Sequence, residues 1–357
     1  RTEFKMTKKY MAYTGSYSYT GEAKGITVYD VDIEKGAFKK RGEIDINNSS
    51  YVIVSHNNKI LYSIADEGVV AFTILENGDI TRLNSASIKG MRGCHLSIDH
   101  DNKFLFVSGY HDGKITVMTL NPDGSIGHIA DGIYHHGLGS VAERNFRPHV
   151  SCTKVTPDGN FVLASDLGLD NVKIYKFSRH DGKLILSDIL PCDINSAPKT
   201  FRFSKDGRFL YLMYEQKNVI DIFTYNYEEG KRVPDIEKIQ TVPSSNCTHL
   251  KELTAATCIK FTSDNNFLFC ANAGENSVSL YKRDSKTGLL EPRCCLPISG
   301  EYPKDMVIFP DNRHIACLNH ESGTITFFTV DYEKSLLVMS SNSVKVNQPN
   351  SCVIVEV

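Results

Sequence analysis

The sequence predicts an all-β protein, a seven-bladed β-propeller built from four-stranded antiparallel blades. One phrase, a turn followed by a hydrophobic run, a second turn and an alternating strand, recurs five times, from Ile98, Val155, Phe203, Phe261 and Ile308. Hydrophobic residues in each copy alternate at period two, as in 173–177, whereas helical repeats would need period 3.6. The turn aspartates, Asp101, Asp158, Asp206, Asp264 and Asp311, lie 57, 48, 58 and 47 residues apart. This spacing suits blades of roughly 40–50 residues.

The two ends of the chain complete the blade count. A weaker sixth copy starts at Val54, and its Asn57 precedes Asp101 by 44 residues. The segments from Lys8 and from Ser341 each resemble part of a blade. We expect them to share the seventh blade, with 352–357 pairing beside strands from the N-terminus. Such a closure leaves no exposed edge at the end of the repeat array.

Bulk properties indicate one propeller domain over 6–357, with 1–5 as a possible expression scar. A propeller grows by adding blades, so 357 residues do not require a second core. The formal net charge of −2 gives no reason to expect nucleic acid or an anionic membrane as partner. Neither a run of 18 apolar residues nor a secretory h-region is visible, which predicts a cytoplasmic protein. The oligomeric state stays open.

The cysteine and histidine patterns predict neither a disulfide scaffold nor a metal site. None of the ten cysteines forms a CxxC pair, and most lie in strand patterns, where a reduced thiol acts as a small hydrophobe. His135 and His136 are adjacent, and neighbouring side chains of an extended segment point to opposite faces. We therefore expect no metal and no organic cofactor.

The mouth of the central channel is where the loops of a propeller converge, and the repeat register predicts which residues surround it. Two sets of equivalent positions emerge, and we expect each set to form a ring around the axis. The first ring is Cys94, Ser151, Lys199, Thr257 and Lys304. The second ring is Tyr110, Leu167, Glu215, Ala273 and His320. Charged residues in an otherwise apolar pattern are costly unless they are paired or functional.

Several phrases resemble the lactonase-type seven-bladed propellers, which include the propeller form of 6-phosphogluconolactonase and, more distantly, fungal carboxy-muconate lactonising enzymes. These phrases are TGSYSYTGEAKGITVYDVD, GCHLSIDHDNKFLFV, RPHVSCTKVTPDGNFVLASDLG and APKTFRFSKDGRFLYLMYEQ. The resemblance covers nearly the whole chain. It implies that His149 corresponds to a histidine of the family's motifs and that Glu215 corresponds to their glutamate. Ser151, Lys199 and Ala273 stand where the family usually has histidine, arginine and arginine.

The resemblance implies catalytic roles for three residues, Glu215, Lys199 and His149. Lactone hydrolysis needs a base that activates water and a donor for the tetrahedral oxyanion. Glu215 is the expected base, Lys199 the expected electrophile and His149 a second candidate base. The alternative for Glu215 and Lys199 is a structural ion pair, and for His149 a hydrogen-bonded residue at a strand end.

We expect six further residues to bind substrate. Arg144 and Arg147 lie in the long segment from Gly137 to Arg147 and would cap the mouth and bind an anion. The other four belong to the two rings: Ser151, Tyr110, Lys304 and His320. For His320 a plain loop position is the alternative.

The sequence thus predicts a hydrolase of a sugar lactone, such as 6-phosphogluconolactone or a related aldonolactone. The alternative is a catalytically altered propeller that binds a sugar-like or anionic ligand, or a protein partner, in the same channel. Muconate lactonisation is disfavoured, because its carboxylate-rich substrate would need the arginines that are replaced here.

Overall fold

The computed structural model describes residues 7–139, 147–246 and 253–357, and these form seven sheets of four antiparallel strands each. Each sheet is one blade, and the blades close into a ring, so the predicted seven-bladed propeller is confirmed. In the described segments, no helix is long and apolar enough to cross a bilayer.

The strands fall into four classes by their distance from the central channel. The innermost strands are β4 (Val52–Val54), β8 (His95–Ile98), β12 (Val150–Val155), β16 (Pro198–Phe203), β20 (Ala255–Phe261), β24 (Pro303–Ile308) and β28 (Pro349–Glu356). The second strands are β1 (Tyr10–Ser16), β5 (Ile60–Ala65), β9 (Phe104–Ser108), β13 (Phe161–Asp166), β17 (Phe209–Tyr214), β21 (Phe267–Ala273) and β25 (His314–Asn319).

The remaining two classes complete each blade. The third strands are β2 (Gly25–Asp32), β6 (Gly68–Ile74), β10 (Lys114–Leu120), β14 (Asn171–Phe177), β18 (Val219–Asn226), β22 (Ser277–Arg283) and β26 (Thr324–Asp331). The outermost strands are β3 (Ala37–Asp45), β7 (Ile80–Ala86), β11 (Ile126–Tyr134), β15 (Leu184–Pro191), β19 (Asp235–Pro243), β23 (Leu290–Pro297) and β27 (Leu336–Lys345).

The closing blade has the order β28-β1-β2-β3, so the two ends of the chain share one sheet as predicted. Strand β28 pairs antiparallel with β1 along its length, from Tyr10 opposite Glu356 to Ser16 opposite Pro349. The strand from the C-terminus thereby becomes the innermost strand of this blade, and this blade has four strands like the other six.

The recurrent turn joins the innermost strand to the second strand of a blade. In the turn after β12, the Asp158 carboxylate accepts from the Thr156 hydroxyl and the Asn160 backbone N–H, both at 2.8 Å. Gly159 has φ of +75°, a conformation that glycine adopts without strain. Asn265 takes the equivalent place with φ of +61°. The repeated acidic-Gly or acidic-Asn pair therefore specifies the turn geometry.

The hydrophobic core lies between blades, and the described residues form seven buried clusters, one at each blade interface. At the interface of the blades that contain β17 and β21, Tyr211 and Met213 pack with Leu268 and Cys270. The core therefore grows with blade number, and the innermost strands are left to line a channel.

Candidate active site

The central channel contains a cavity of about 360 Å³, within the usual range of roughly 300–1,000 Å³ for ligand pockets. Each blade contributes one residue to its rim at or just before the innermost strand. These residues are Ser50, Cys94, Ser151, Lys199, Thr257, Lys304 and Asn350. All five residues of the first predicted ring are among them. Of the second ring, Tyr110, Leu167 and Glu215 line the cavity, whereas Ala273 and His320 do not.

A β-bulge explains how the first ring points into the channel. In four blades the pairing of the innermost strand with its neighbour skips one residue, which is Ser151, Lys199, Thr257 or Lys304. A bulge re-aims the side chain of the extra residue, so two successive residues can face the same side. Lys199 and Thr200 accordingly both line the cavity.

Lys199 and Glu215 meet at the mouth of this cavity. The Lys199 Nζ donates to Glu215 Oε1 at 3.2 Å, and the side chains are 26% and 11% exposed. Burial alone would lower the pKa of Lys199, but the Glu215 carboxylate beside it raises that pKa. Lys199 is therefore a protonated donor next to a carboxylate, and both groups are accessible from the cavity.

Lys304 occupies the equivalent bulge two blades further along the chain. Its Nζ donates to Asn350 Oδ1 at 2.8 Å and to the Tyr17 hydroxyl at 3.2 Å. Burial, together with the positive charges of Lys199 and Arg92, lowers the pKa of Lys304 to about 8. The mouth thus places excess positive charge in a partly desolvated space, which stabilises a developing anion.

Arg92 and Tyr302 are two of the lining residues that the sequence analysis missed. Both lie two positions before a first-ring residue, Arg92 before Cys94 and Tyr302 before Lys304, so the same register would have found them. The Arg92 guanidinium pairs with Asp66 at 2.9 Å and lies 5.0 Å from the centre of the Tyr17 ring. It adds an arginine to the mouth from a loop position.

His149 lies behind the cavity wall. Its ring stacks on Tyr110 at 4.1 Å between centroids, and its Nδ1 donates to the Tyr110 carbonyl oxygen at 2.5 Å. The Asp166 carboxylate accepts from the His149 backbone N–H at 2.9 Å. Tyr110 lines the cavity and His149 does not, so His149 contacts a residue of the cavity wall and supports it.

The other predicted binding residues are distributed around the mouth. The His320 ring lies 5.5 Å from that of Tyr17 and 6.0 Å from that of Tyr302, between centroids, so it contacts two lining residues. Burial and the charge of Lys304 lower the pKa of His320, which keeps it neutral. Arg147 is exposed and does not line the cavity. Arg144 lies outside the described residues.

Two first-ring residues have chemistry that limits their roles. The Ser151 hydroxyl donates to the Lys199 carbonyl oxygen at 2.6 Å, which ties β12 to β16. Burial raises the pKa of the Cys94 thiol to about 12. A thiol of that pKa is not a thiolate nucleophile near neutral pH.

Comparison with known proteins places the chain in one family. The family model described as "Lactonase, 7-bladed beta-propeller" matches residues 11–355. The chain is 30% identical to the 6-phosphogluconolactonase of Bacillus subtilis over 347 residues, which span 96% of this chain and 97% of that protein. A solved structure from Bacteroides fragilis has a TM-score of 0.87 and 25% identity, covering 99% of this chain and all of the other. The periplasmic gluconolactonase of Pseudomonas aeruginosa has a TM-score of 0.89 at 24% identity, covering 97% of this chain and 99% of its own, which shows the shared fold. The chain therefore belongs to the lactonase family of seven-bladed β-propellers.

Proposed function

We propose that this protein hydrolyses a sugar lactone, 6-phosphogluconolactone or a closely related aldonolactone, at the mouth of its central channel. Membership of the lactonase family and the relationship to the 6-phosphogluconolactonase of Bacillus subtilis support a lactone hydrolase. The observation that carries the proposal is the Lys199–Glu215 pair at 3.2 Å, which faces a cavity of about 360 Å³.

In this mechanism Glu215 takes the proton of an attacking water. The water oxygen forms a bond to the lactone carbonyl carbon, and the carbonyl oxygen becomes an oxyanion. Lys199 donates to that oxyanion, because its ammonium is protonated and already held in place by Glu215. The ring C–O bond then breaks, and the proton on Glu215 passes to the departing alkoxide. The open-chain aldonic acid that results releases its carboxyl proton to solvent and becomes the aldonate.

The other mouth residues hold the substrate in this mechanism. Protonated Lys304 and Arg92 bind its negative or hydroxyl-bearing groups, and Tyr110 packs against the sugar, supported by His149. His320 orients Tyr17 and Tyr302 from behind. The product carries one more negative charge than the substrate, because hydrolysis creates a carboxylate. The cationic mouth holds this carboxylate until release.

The second candidate function is binding of a sugar-like anion without hydrolysis. The observation that favours it is the replacement of family residues by Ser151 and Ala273. The Ser151 hydroxyl already donates a hydrogen bond to the Lys199 carbonyl oxygen, and Ala273 is buried outside the cavity. Binding alone would need only the cations, whereas hydrolysis also needs Glu215.

The decisive experiment is to follow freshly generated 6-phosphogluconolactone with and without the purified protein, at slightly acidic pH where spontaneous hydrolysis is slow. We expect clear acceleration by the wild-type protein. A rate equal to the background for this lactone and for glucono-1,5-lactone would overturn the hydrolase and leave the binding function. In line with a role in carbohydrate metabolism, we propose a cytoplasmic location.

A further inference from the structure

Tyr302 lines the cavity with a backbone conformation that tyrosine rarely adopts. Its φ is +59°, in the left-handed region that the Cβ atom of a bulky residue disfavours. Equivalent residues of three other blades, each two positions before the rim residue, share this conformation, and they are Asn48, Ala197 and Gln348. Asparagine tolerates the left-handed region, so the residue at Asn48 suits the backbone. The backbone does not explain a tyrosine at the same place, and the reason for it must lie in the side chain.

Two hydrogen bonds hold this disfavoured backbone in place. The Tyr302 N–H donates to Asn276 Oδ1 at 2.9 Å, and the His320 N–H donates to the Tyr302 carbonyl oxygen at 2.8 Å. The His320 ring also packs against the tyrosine ring, with 6.0 Å between centroids. Residues in disfavoured conformations persist only where their surroundings impose them, and they cluster at active sites and ligand-binding sites. The strained conformation thus points to a function for the Tyr302 side chain.

The phenol of Tyr302 lies near the Lys199 ammonium. Both residues line the cavity. Burial alone would lower the pKa of Lys199, Glu215 raises that pKa most, and Tyr302 is the next side chain that raises it. Because Coulomb interactions weaken with distance, such an effect requires the two polar groups to be within electrostatic range of each other. Tyr302 and Lys199 therefore belong to one group of polar side chains at the mouth.

The Tyr302 hydroxyl is available to a ligand. Within the described parts of the chain, the hydrogen bonds of Tyr302 are the two made by its backbone. Tyr17, a neighbouring tyrosine of the mouth, differs in this respect, because its hydroxyl accepts from the Lys304 Nζ at 3.2 Å. Tyr302 is half-buried and lines the cavity, so its hydroxyl is a donor that the fold positions but does not use.

We infer that the Tyr302 hydroxyl is a second donor to the oxyanion of the lactone, beside the Lys199 ammonium. This role rests on the proposed function, in which water adds to the lactone carbonyl carbon and the carbonyl oxygen becomes an oxyanion. The phenol donates a hydrogen bond to that oxygen and keeps its proton throughout. The oxyanion then has one charged and one neutral donor, and a donor whose position is fixed in advance does not have to reorganise as the charge develops.

The test separates the hydroxyl from the ring and from the backbone. Tyr302→Phe removes only the hydroxyl, whereas Tyr302→Asn removes the ring and suits the left-handed conformation. Tyr19→Phe is the matched control, since Tyr19 is 65% exposed near the mouth and does not line the cavity. For each protein, kcat and KM for 6-phosphogluconolactone are measured after subtraction of spontaneous hydrolysis. The midpoint of unfolding in urea is measured alongside.

We expect Tyr302→Phe to lower kcat by roughly 10- to 100-fold, the usual effect of losing a hydrogen bond to a charged group. Its KM should stay close to that of wild type, because the bond is made in the transition state and not in the bound substrate. Tyr302→Asn should lose at least as much kcat and unfold at a urea concentration no lower than wild type, since the backbone strain is relieved. Tyr19→Phe should match wild type in kcat and KM.

Three results would overturn the donor role. Wild-type kcat in Tyr302→Phe, or a loss confined to KM, would do so and leave the lactonase itself intact. Destabilisation of Tyr302→Asn combined with wild-type kcat in Tyr302→Phe would assign Tyr302 to packing. Absence of lactone hydrolysis by wild type would instead overturn the proposed function, and the donor role would fall with it.

Discussion

Four blades carry the same β-bulge at the rim of the channel, and they use it in two ways. At two bulges, Lys199 and Lys304 extend into the cavity. At the other two, Ser151 and Thr257 donate to carbonyl oxygens of the next blade, those of Lys199 and Pro303, both at 2.6 Å. One backbone feature therefore supplies charge where the side chain is long and ties blades together where it is short.

The largest expected effect concerns Glu215, the ion-pair partner of Lys199. Glu215→Gln keeps the size of the side chain and removes its ability to take a proton. We expect kcat for 6-phosphogluconolactone to fall by about 10²- to 10⁴-fold, the range for loss of a general base. Glu301→Gln, a change at an exposed carboxylate, is the control, and its kcat should match wild type. Equal rates for Glu215→Gln and wild type would remove Glu215 from the mechanism.

The next effect is at the cationic bulge itself. Lys199→Met removes the donor to the oxyanion, and we expect kcat/KM to fall by about 10²- to 10³-fold, as when one oxyanion donor is lost. Lys199→Arg should restore most of the activity, because a guanidinium also donates to Glu215 and to an anion. If Lys199→Arg were as inactive as Lys199→Met, a positive charge at this residue would not be enough, and the placement of the lysine ammonium would determine the rate.

A smaller effect, on the pH dependence of kcat/KM, distinguishes Lys304 from Lys199. The pKa of Lys304 is about 8, so its ammonium deprotonates within the range where the enzyme can be assayed. If protonated Lys304 binds substrate, kcat/KM after subtraction of spontaneous hydrolysis should decline as the pH rises through about 8. Lys304→Arg should move this decline to higher pH, because a guanidinium stays protonated. An identical decline in both proteins would assign it to another group.

The smallest effect on catalysis is expected at a blade-tying bulge. Thr257→Val keeps the shape of the side chain and removes the hydroxyl that bonds to the Pro303 carbonyl. We expect a loss of about 1–3 kcal/mol in the free energy of unfolding, measured by denaturant titration, since a buried acceptor is left without its partner. The change in kcat/KM should be far smaller than for Lys199→Met. A large catalytic loss with unchanged stability would contradict the comparison between the two kinds of bulge.

The fold could be predicted because its determinants are local and repeated. The turn at Asp158 and Gly159 is encoded by adjacent residues, and the alternation of each strand can be recognised without knowledge of its neighbours. The first ring was also predictable, because equal positions in equal blades lie at equal distances from the axis. All of its five predicted residues line one cavity.

The rest of the site depends on features that the repeat does not show. The bulge at Lys199 changes which successive side chains face the channel, and pairing registers are not visible in a single strand. His149 matches a family motif, yet its ring is hydrogen-bonded to the Tyr110 carbonyl oxygen and does not line the cavity. Arg202 and Lys260, which also line the cavity, did leave a signal, since each is a charged residue between two apolar residues of its strand. The two predicted rings include only residues at the mouth, so they contain neither Arg202 nor Lys260.

The central claim is that the Lys199–Glu215 pair at the channel mouth hydrolyses a sugar lactone. The most direct test measures the disappearance of freshly generated 6-phosphogluconolactone under identical conditions with wild type, Glu215→Gln and Thr257→Val, after each protein is shown to be folded. The account predicts rapid hydrolysis by wild type and by Thr257→Val, and a rate near the spontaneous background with Glu215→Gln. Hydrolysis by Glu215→Gln at the wild-type rate would contradict it.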